Sequence, residues 1–158
     1  MSVASAKIVL FPGDGVGPEV MAAAVEVLNA VATRFDYTFE TEELLIGGAA
    51  YDAYEVPVRE EDLERCRHAD AALLGAVGGP KWDGVDRELR PEQGLLTLRK
   101  TLGLFANLRP VSVFESMVAA SPIKADLVRD VDLMVVRELT GGIYFGRPSR
   151  QWVERRGR

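Results

Sequence analysis

Alternating strand and helix signals predict an α/β fold: a mainly parallel sheet with helices on its faces. Three observations support it. Short apolar runs of β-forming residues, 7–11 (Lys-Ile-Val-Leu-Phe) and 71–74 (Ala-Ala-Leu-Leu), stop at Pro12-Gly13 and at Gly75. Helical stretches opened by Pro18 and Pro91 come after these runs, with proline at the first helical position. The 158 residues are 47% hydrophobic and 27% charged, which excludes a disordered, collagen-like or coiled-coil chain. A chain of this length buries roughly 68–70% of its unfolded surface.

The elements follow in order. Residues 7–11 read as a buried strand. Pro18 and Glu19 open a helix, and Val20, Ala24, Val27, Leu28 and Val31 recur at helical spacing, predicting one stripe packed on the sheet. Residues 37–45 alternate weakly and read as a second strand, and 57–66 as a short charged helix. Residues 71–74 are expected to form a third buried strand ending at Gly75. Residues 75–90 contain Gly75, Gly78, Gly79 and Gly84 and few helix formers. They follow the carboxyl end of a strand, where open α/β sheets place ligands. Pro91 starts a helix through about Thr101. Residues 104–113 look extended, 124–129 weakly helical, 133–136 a strand, and Gly141-Gly142 a turn leading to Ile143-Tyr144-Phe145.

Charge and composition exclude several functions. The net charge is −5, but residues 147–158 hold five arginines and one acid, leaving 14 basic and 23 acidic residues, a net −9, before them. So acidic a body argues against nucleic-acid binding, which needs a basic face. The tail reads either as a basic arm or as a solvated or foreign end. No apolar run approaches the roughly 18 residues of a membrane span. The start lacks a secretory pattern, and the single Cys66 has no internal disulfide partner. The expectation is a cytoplasmic protein.

Gly13-Asp14-Gly15-Val16-Gly17 stands between a strand and a helix, as a dinucleotide-binding loop does, but Pro18 occupies the place of the third glycine of G-x-G-x-x-G. The other reading is a tight strand-to-helix turn in which glycines supply positive φ.

Four longer strings carry a resemblance. Pro12-Gly-Asp-Gly-Val-Gly-Pro-Glu-Val20 resembles the opening of the isocitrate/isopropylmalate dehydrogenase family of β-decarboxylating dehydrogenases. Gly75-Ala-Val-Gly-Gly-Pro-Lys-Trp82, Leu95-Leu-Thr-Leu-Arg-Lys100 with Leu104-Phe-Ala-Asn-Leu-Arg-Pro110, and Val136-Arg-Glu-Leu-Thr-Gly-Gly-Ile-Tyr-Phe-Gly146 narrow it to the isopropylmalate branch. The likeness implies an isocitrate/isopropylmalate dehydrogenase-like α/β fold, here the first half of a two-domain enzyme. It also implies NAD, a Mg or Mn ion and a homodimer. It implies further that the first glycine loop does not cradle the dinucleotide.

The same resemblance assigns site residues. The substrate would be a small 2-hydroxy dicarboxylate, and Arg99, Arg109 and Arg137 match the family's substrate-binding arginines. An arginine fork suits a desolvated carboxylate; the plain reading of each is a solvated charge. Tyr144 matches the catalytic tyrosine that helps protonate the enolate, its phenol protonated at neutral pH with an ordinary pKa of about 10. It also reads as a core aromatic beside Phe145. Leu95 and Leu96 match the pocket for the substrate's branched alkyl group and equally fit a helix core. Gly79, Pro80, Lys81, Trp82 and Asp83 match the loop at the nicotinamide end of NAD. Glu92 matches the same loop and is also an ordinary first-turn glutamate. Asp14 and Lys81 are read as loop-ordering residues without a further assigned role, and Cys66 and His68 are expected to be inert.

Residues 1–102 are expected to form the amino-terminal part of a larger α/β domain and 103–147 the start of a second domain, with a basic tail at 148–158. The family's catalytic lysine, metal-binding aspartates and adenosine-gripping loop have no counterparts here, so no metal ligand is assigned. A truncated or frameshifted frame would explain this. Three readings follow: the amino-terminal portion of such an enzyme, a non-catalytic fragment or interaction module, or a relative acting on isocitrate, homoisocitrate or tartrate.

Overall fold

The structure is a computed structural model that describes residues 4–139 and 141. The chain divides into two compact units, Met1–Leu102 and Gly103–Arg158.

The first unit is built on a three-stranded parallel sheet. β1 (Ala4–Gly13) lies between β2 (Tyr37–Glu43) and β3 (Ala71–Ala76). Its side chains alternate between faces, as a period of two requires. Val9 and Phe11 join one core with Leu44, Ile46, Val58, Leu63, Cys66 and Leu98, while Ile8 and Leu10 join another with Met21. This two-sided burial explains why the run 8–11 is continuously apolar, with the exposed Lys7 before it.

Helix α1 (Gly17–Phe35) covers the second core. Its buried side is Met21, with Val25 and Leu28 packed beside it. The stripe expected from spacing is thus corrected: Val20, Val27 and Val31 are exposed, and only Leu28 and Ala24 of that set approach the sheet side. Alanine and valine occur all around α1, so apolar spacing marks two faces and cannot select the one that meets Leu10. α1 ends at Asp36, which takes the left-handed conformation, φ 52°.

The expected buried third strand is corrected as well. β3 is an edge strand of this sheet, with Ala71 and Ala72 exposed and Leu73 and Leu74 half-buried. Helices α2 (Gly48–Tyr54), α3 (Glu60–Arg67) and α4 (Pro91–Thr101) complete the unit, with a 3-10 turn at Pro80–Trp82. The start of α3 is held by Arg59, whose guanidinium donates two hydrogen bonds, 2.8 and 3.0 Å, to the fully buried Asp62 carboxylate. A buried charge needs such a partner.

The second unit pairs β4 (Ala106–Ser112) with β5 (Asp132–Glu138), antiparallel. Between them run the short helices α5 (Glu115–Val118) and α6 (Ala125–Val128), which bury Val118 and Val128. A two-pronged ion pair from Arg129 to Glu115 ties the connection together.

Candidate functional site

Glycines 13 and 17 have packing roles. A Cβ on Gly13 (φ 73°) would collide with the Ala76 carbonyl, and one on Gly17 with the Pro12 carbonyl. The loop is a tight turn pressed against the end of β3. Its acid, Asp14, is buried and accepts backbone N–H bonds from Gly48 at 2.8 Å, Ala49 at 2.7 Å and Gly78 at 2.7 Å. Its own N–H donates to the Ala76 carbonyl at 2.7 Å. A negative side chain already sits where a helix amino end favours one.

The segment after β3 lies on α2. The Lys81 ammonium and the Trp82 indole N–H donate to the two oxygens of Asp52, at 2.6 and 3.1 Å. These bonds hold the Asp52 carboxyl below its ordinary value, the Lys81 bond contributing most. Lys81 also lies over the indole ring, 5.3 Å from its centroid. Lys81 and Trp82, both matched to the cofactor loop, therefore also fasten that loop to α2. Gly79 is half-buried, and Pro80 and Asp83 are exposed; Arg90 donates to the Asp83 carbonyl at 3.0 Å. Glu92, exposed in the first turn of α4, places its carboxylate over Gly78: a Cβ there would be 2.6 Å from Glu92 Oε1. The exposed surfaces of Pro80 and Glu92 at the end of a parallel strand fit a ligand edge.

Helix α4 separates packing from candidate binding. Pro91, Gly94 and Leu98 are buried on one side, Leu98 in the core cluster. Glu92, Leu95, Leu96 and Arg99 recur at i, i+3, i+4 and i+7, so they share another face. Glu92 is exposed there and the other three are half-buried. Leu95 and Leu96 are therefore not core residues in this structure.

Within the second unit, β4–β5 register pairs Asn107 with Arg137 and Arg109 with Val135. Opposed residues share a face, so Arg109 and Arg137 are diagonal neighbours, Cα atoms about 7–8 Å apart in such geometry. The Arg109 Nε donates to Asn107 Oδ1 at 2.9 Å, which steadies its fork. Tyr144, with Gly142 of the expected turn, the residues 143–145 that follow it and the tail at 148–158, lies outside the described residues.

Other chemistry-bearing groups lie elsewhere. A groove of about 360 Å³ lined by Lys7, Glu40, Glu42, Arg65 and His68 occupies the opposite end of β1 from Gly13 and contains none of the candidate residues. Cys66 is buried, and desolvation, aided by the Asp62 and Glu42 charges, pushes its thiol up to about 11. Among the described residues no three His, Cys, Asp or Glu side chains cluster as metal ligands, and no helix is long and apolar enough to cross a membrane.

Sequence reasoning missed Gly48 and Asp52, and it offered Asp14 and Lys81 as loop-ordering residues with no partners named. Nothing local marks the partners of Asp14 or Asp52, which are 29 to 64 positions distant. The Gly47-Gly48 pair was a signal of unusual backbone there.

Comparison with known proteins bears on the same regions. Residues 7–157 match the family described as isocitrate/isopropylmalate dehydrogenase. The chain is 58% identical over 151 residues to the 3-isopropylmalate dehydrogenase of Bacillus subtilis, covering 96% of this chain and 41% of that one. It is 54% identical over 154 residues to the Synechococcus elongatus enzyme of the same name, covering 98% and 42%. It thus spans about two fifths of the length of these curated relatives. Among solved structures it resembles isocitrate dehydrogenase from Methylococcus capsulatus, with TM-score 0.69, 32% identity and coverage of 88% of this chain and 36% of that one. A β-decarboxylating dehydrogenase from Thermococcus kodakarensis gives 0.59 at 36% identity, covering 84% and 33%. The parallel sheet, the glycine turn and the α4 face stand in a stretch matched almost end to end, and the chain belongs to the isocitrate/isopropylmalate dehydrogenase family.

Proposed function

We propose that this chain supplies the amino-terminal part of a 3-isopropylmalate dehydrogenase, an NAD-dependent enzyme of leucine biosynthesis. The reaction converts 3-isopropylmalate to 4-methyl-2-oxopentanoate. The observation that carries this reading is the face of α4, where Leu95 and Leu96 lie half-buried between Glu92 and Arg99. An apolar pair flanked by a cation suits a branched alkyl group attached to a carboxylate. A third carboxylate, as in isocitrate, would meet two leucines there and lose its hydration without compensation.

In the proposed chemistry Arg99, Arg109 and Arg137 bind the substrate carboxylates and hold the carbinol carbon for oxidation. NAD, held beside Gly79, Pro80 and Glu92, would supply the hydride acceptor for that carbon, whose hydroxyl proton passes to solvent. The carboxylate on the neighbouring carbon then departs as CO2, and Tyr144 delivers the proton that the resulting enolate takes up. Gly79, Pro80, Lys81, Trp82, Asp83 and Glu92 border the nicotinamide end. The family's Mg or Mn ion has no cluster of ligands among the described residues. The whole enzyme would act as a cytoplasmic homodimer, with residues 1–102 belonging to its larger domain and 103–147 to the start of its second.

The test replaces the corresponding segment of the Bacillus subtilis relative by residues 1–147 and follows NADH absorbance with isopropylmalate and with isocitrate. Activity on isopropylmalate is expected, while residues 1–158 alone give none. In the hybrid, Tyr144→Phe should lower kcat about 10²–10⁴-fold with little change in KM. A hybrid preferring isocitrate would refute the assignment.

A further inference from the structure

Asp14 takes no part in the chemistry proposed above, yet it is 4% exposed and its carboxylate is fully engaged. Oδ1 accepts from Ala49. Oδ2 accepts from both Gly48 and Gly78, which lie 34 and 64 positions away. One oxygen is thus shared between the amino end of α2 and the start of the segment after β3. Asp52, farther along α2, holds Lys81 and Trp82 of the same segment. The loop is therefore fastened to α2 twice, and Asp14 fixes α2 and Gly78 to the turn that ends β1. Glu92 in turn stands over Gly78.

We propose that Asp14 is a positioning residue for the cofactor-bordering loop. It sets where Gly79, Pro80 and Glu92 stand at the carboxyl edge of the sheet, and it acts on the cofactor through Gly78 and through α2, not by a contact of its own. The cofactor half of this inference rests on the function proposed above; the positioning half rests on the three hydrogen bonds. A carboxylate is required because both side-chain oxygens must accept. An asparagine has the same shape but turns an N–H toward either Ala49 or the Gly48–Gly78 pair. Bonds from N–H groups to a charged acceptor are among the stronger ones, so losing one is a measurable change.

The experiment compares hydrogen exchange in the 158-residue chain with that in Asp14→Asn. Amides of residues 77–90 and of the start of α2 are expected to exchange about tenfold faster in the variant, the size of one lost charge-assisted bond. Amides of Ile8, Val9 and Leu10 should be unchanged. Equal loop exchange in both proteins would overturn the proposal, and so would a uniform acceleration that includes β1. A second measurement needs no variant: in the unsubstituted chain, NMR couplings across hydrogen bonds should link the nitrogens of Gly48, Ala49 and Gly78 to the Asp14 carboxyl carbon. A missing Gly78 coupling would equally overturn it. In the hybrid enzyme, added NAD should slow loop exchange, and do so less when Asp14→Asn is introduced. Equal protection in both hybrids would refute the cofactor half. Absence of protection in the unsubstituted hybrid would count against the proposed function, and the ligand-free comparison would still decide the positioning role.

Discussion

The Trp82 indole lies against Gly48 so closely that a Cβ on Gly48 would overlap the ring. Glycine is disfavoured inside a helix by about 0.5–1 kcal/mol relative to alanine. Overpacking a tight contact costs about 1–3 kcal/mol, so the clash outweighs the gain in helix preference. Gly48→Ala should therefore destabilise the first unit and expel the indole. In a Trp152→Phe background, leaving Trp82 as the sole emitter, its fluorescence should shift to the red. An unshifted, stabilised variant would contradict this packing.

The Asp52 contacts predict a pH response. Bonds from Lys81 and Trp82 hold its carboxyl below 3.8 in the folded chain. The lowered value means that the interaction contributes fully above the unfolded value of about 3.9 and is lost as pH falls through the folded one. Trp82 emission in the Trp152→Phe background should change in a step with its midpoint below 3.8, and Asp52→Asn should remove the step. A midpoint at or above the ordinary carboxylate value would contradict the contact.

Two leucines of α4 should respond differently to truncation. Leu98 is 4% exposed in the core, so Leu98→Ala should cost about 2–5 kcal/mol in urea unfolding. Leu95→Ala should cost clearly less, since Leu95 is half-buried. In the hybrid enzyme the order should reverse for catalysis. There Leu95→Ala should lower kcat/KM for isopropylmalate about tenfold or more, in line with the roughly 1–3 kcal/mol carried by an apolar subsite contact.

Arg109→Lys in the hybrid should raise KM for isopropylmalate by about 10–100-fold, because an ammonium cannot supply two parallel donors. Asn107→Ala should raise it less, since Asn107 steadies the Arg109 fork and keeps the charge in place. Equal KM values for Arg109→Lys and the unsubstituted hybrid would remove Arg109 from the binding set.

The second unit leaves apolar groups exposed on both faces of its ribbon, Leu108 (63%) and the opposed Val136 (64%) on one and Val135 (47%) on the other. They belong to the runs that read as extended at 104–113 and as a strand at 133–136.

Local sequence was sufficient where the determining forces are local. In the run 7–11 every residue after Lys7 is apolar, Ile8 and Leu10 on one face and Val9 and Phe11 on the other, so it reads as a strand buried on both sides. Pro91 opening a helix was legible as such, whereas the common face of Glu92, Leu95, Leu96 and Arg99 follows from that helix and its burial only once Leu98 is seen to occupy the core. Which face of α1 meets the sheet was a tertiary decision, because alanines and valines surround the helix and Met21 is selected by the cluster it joins with Ile8, Leu10, Phe39 and Leu73. Helix α2 carries no capping residue of its own, and its first N–H groups find their acceptor on Asp14, 34 positions upstream. A cap supplied from another segment has no local spacing. Asp14, Gly48 and Asp52 therefore acquire their roles only when folding brings three distant stretches of backbone together at the end of β1.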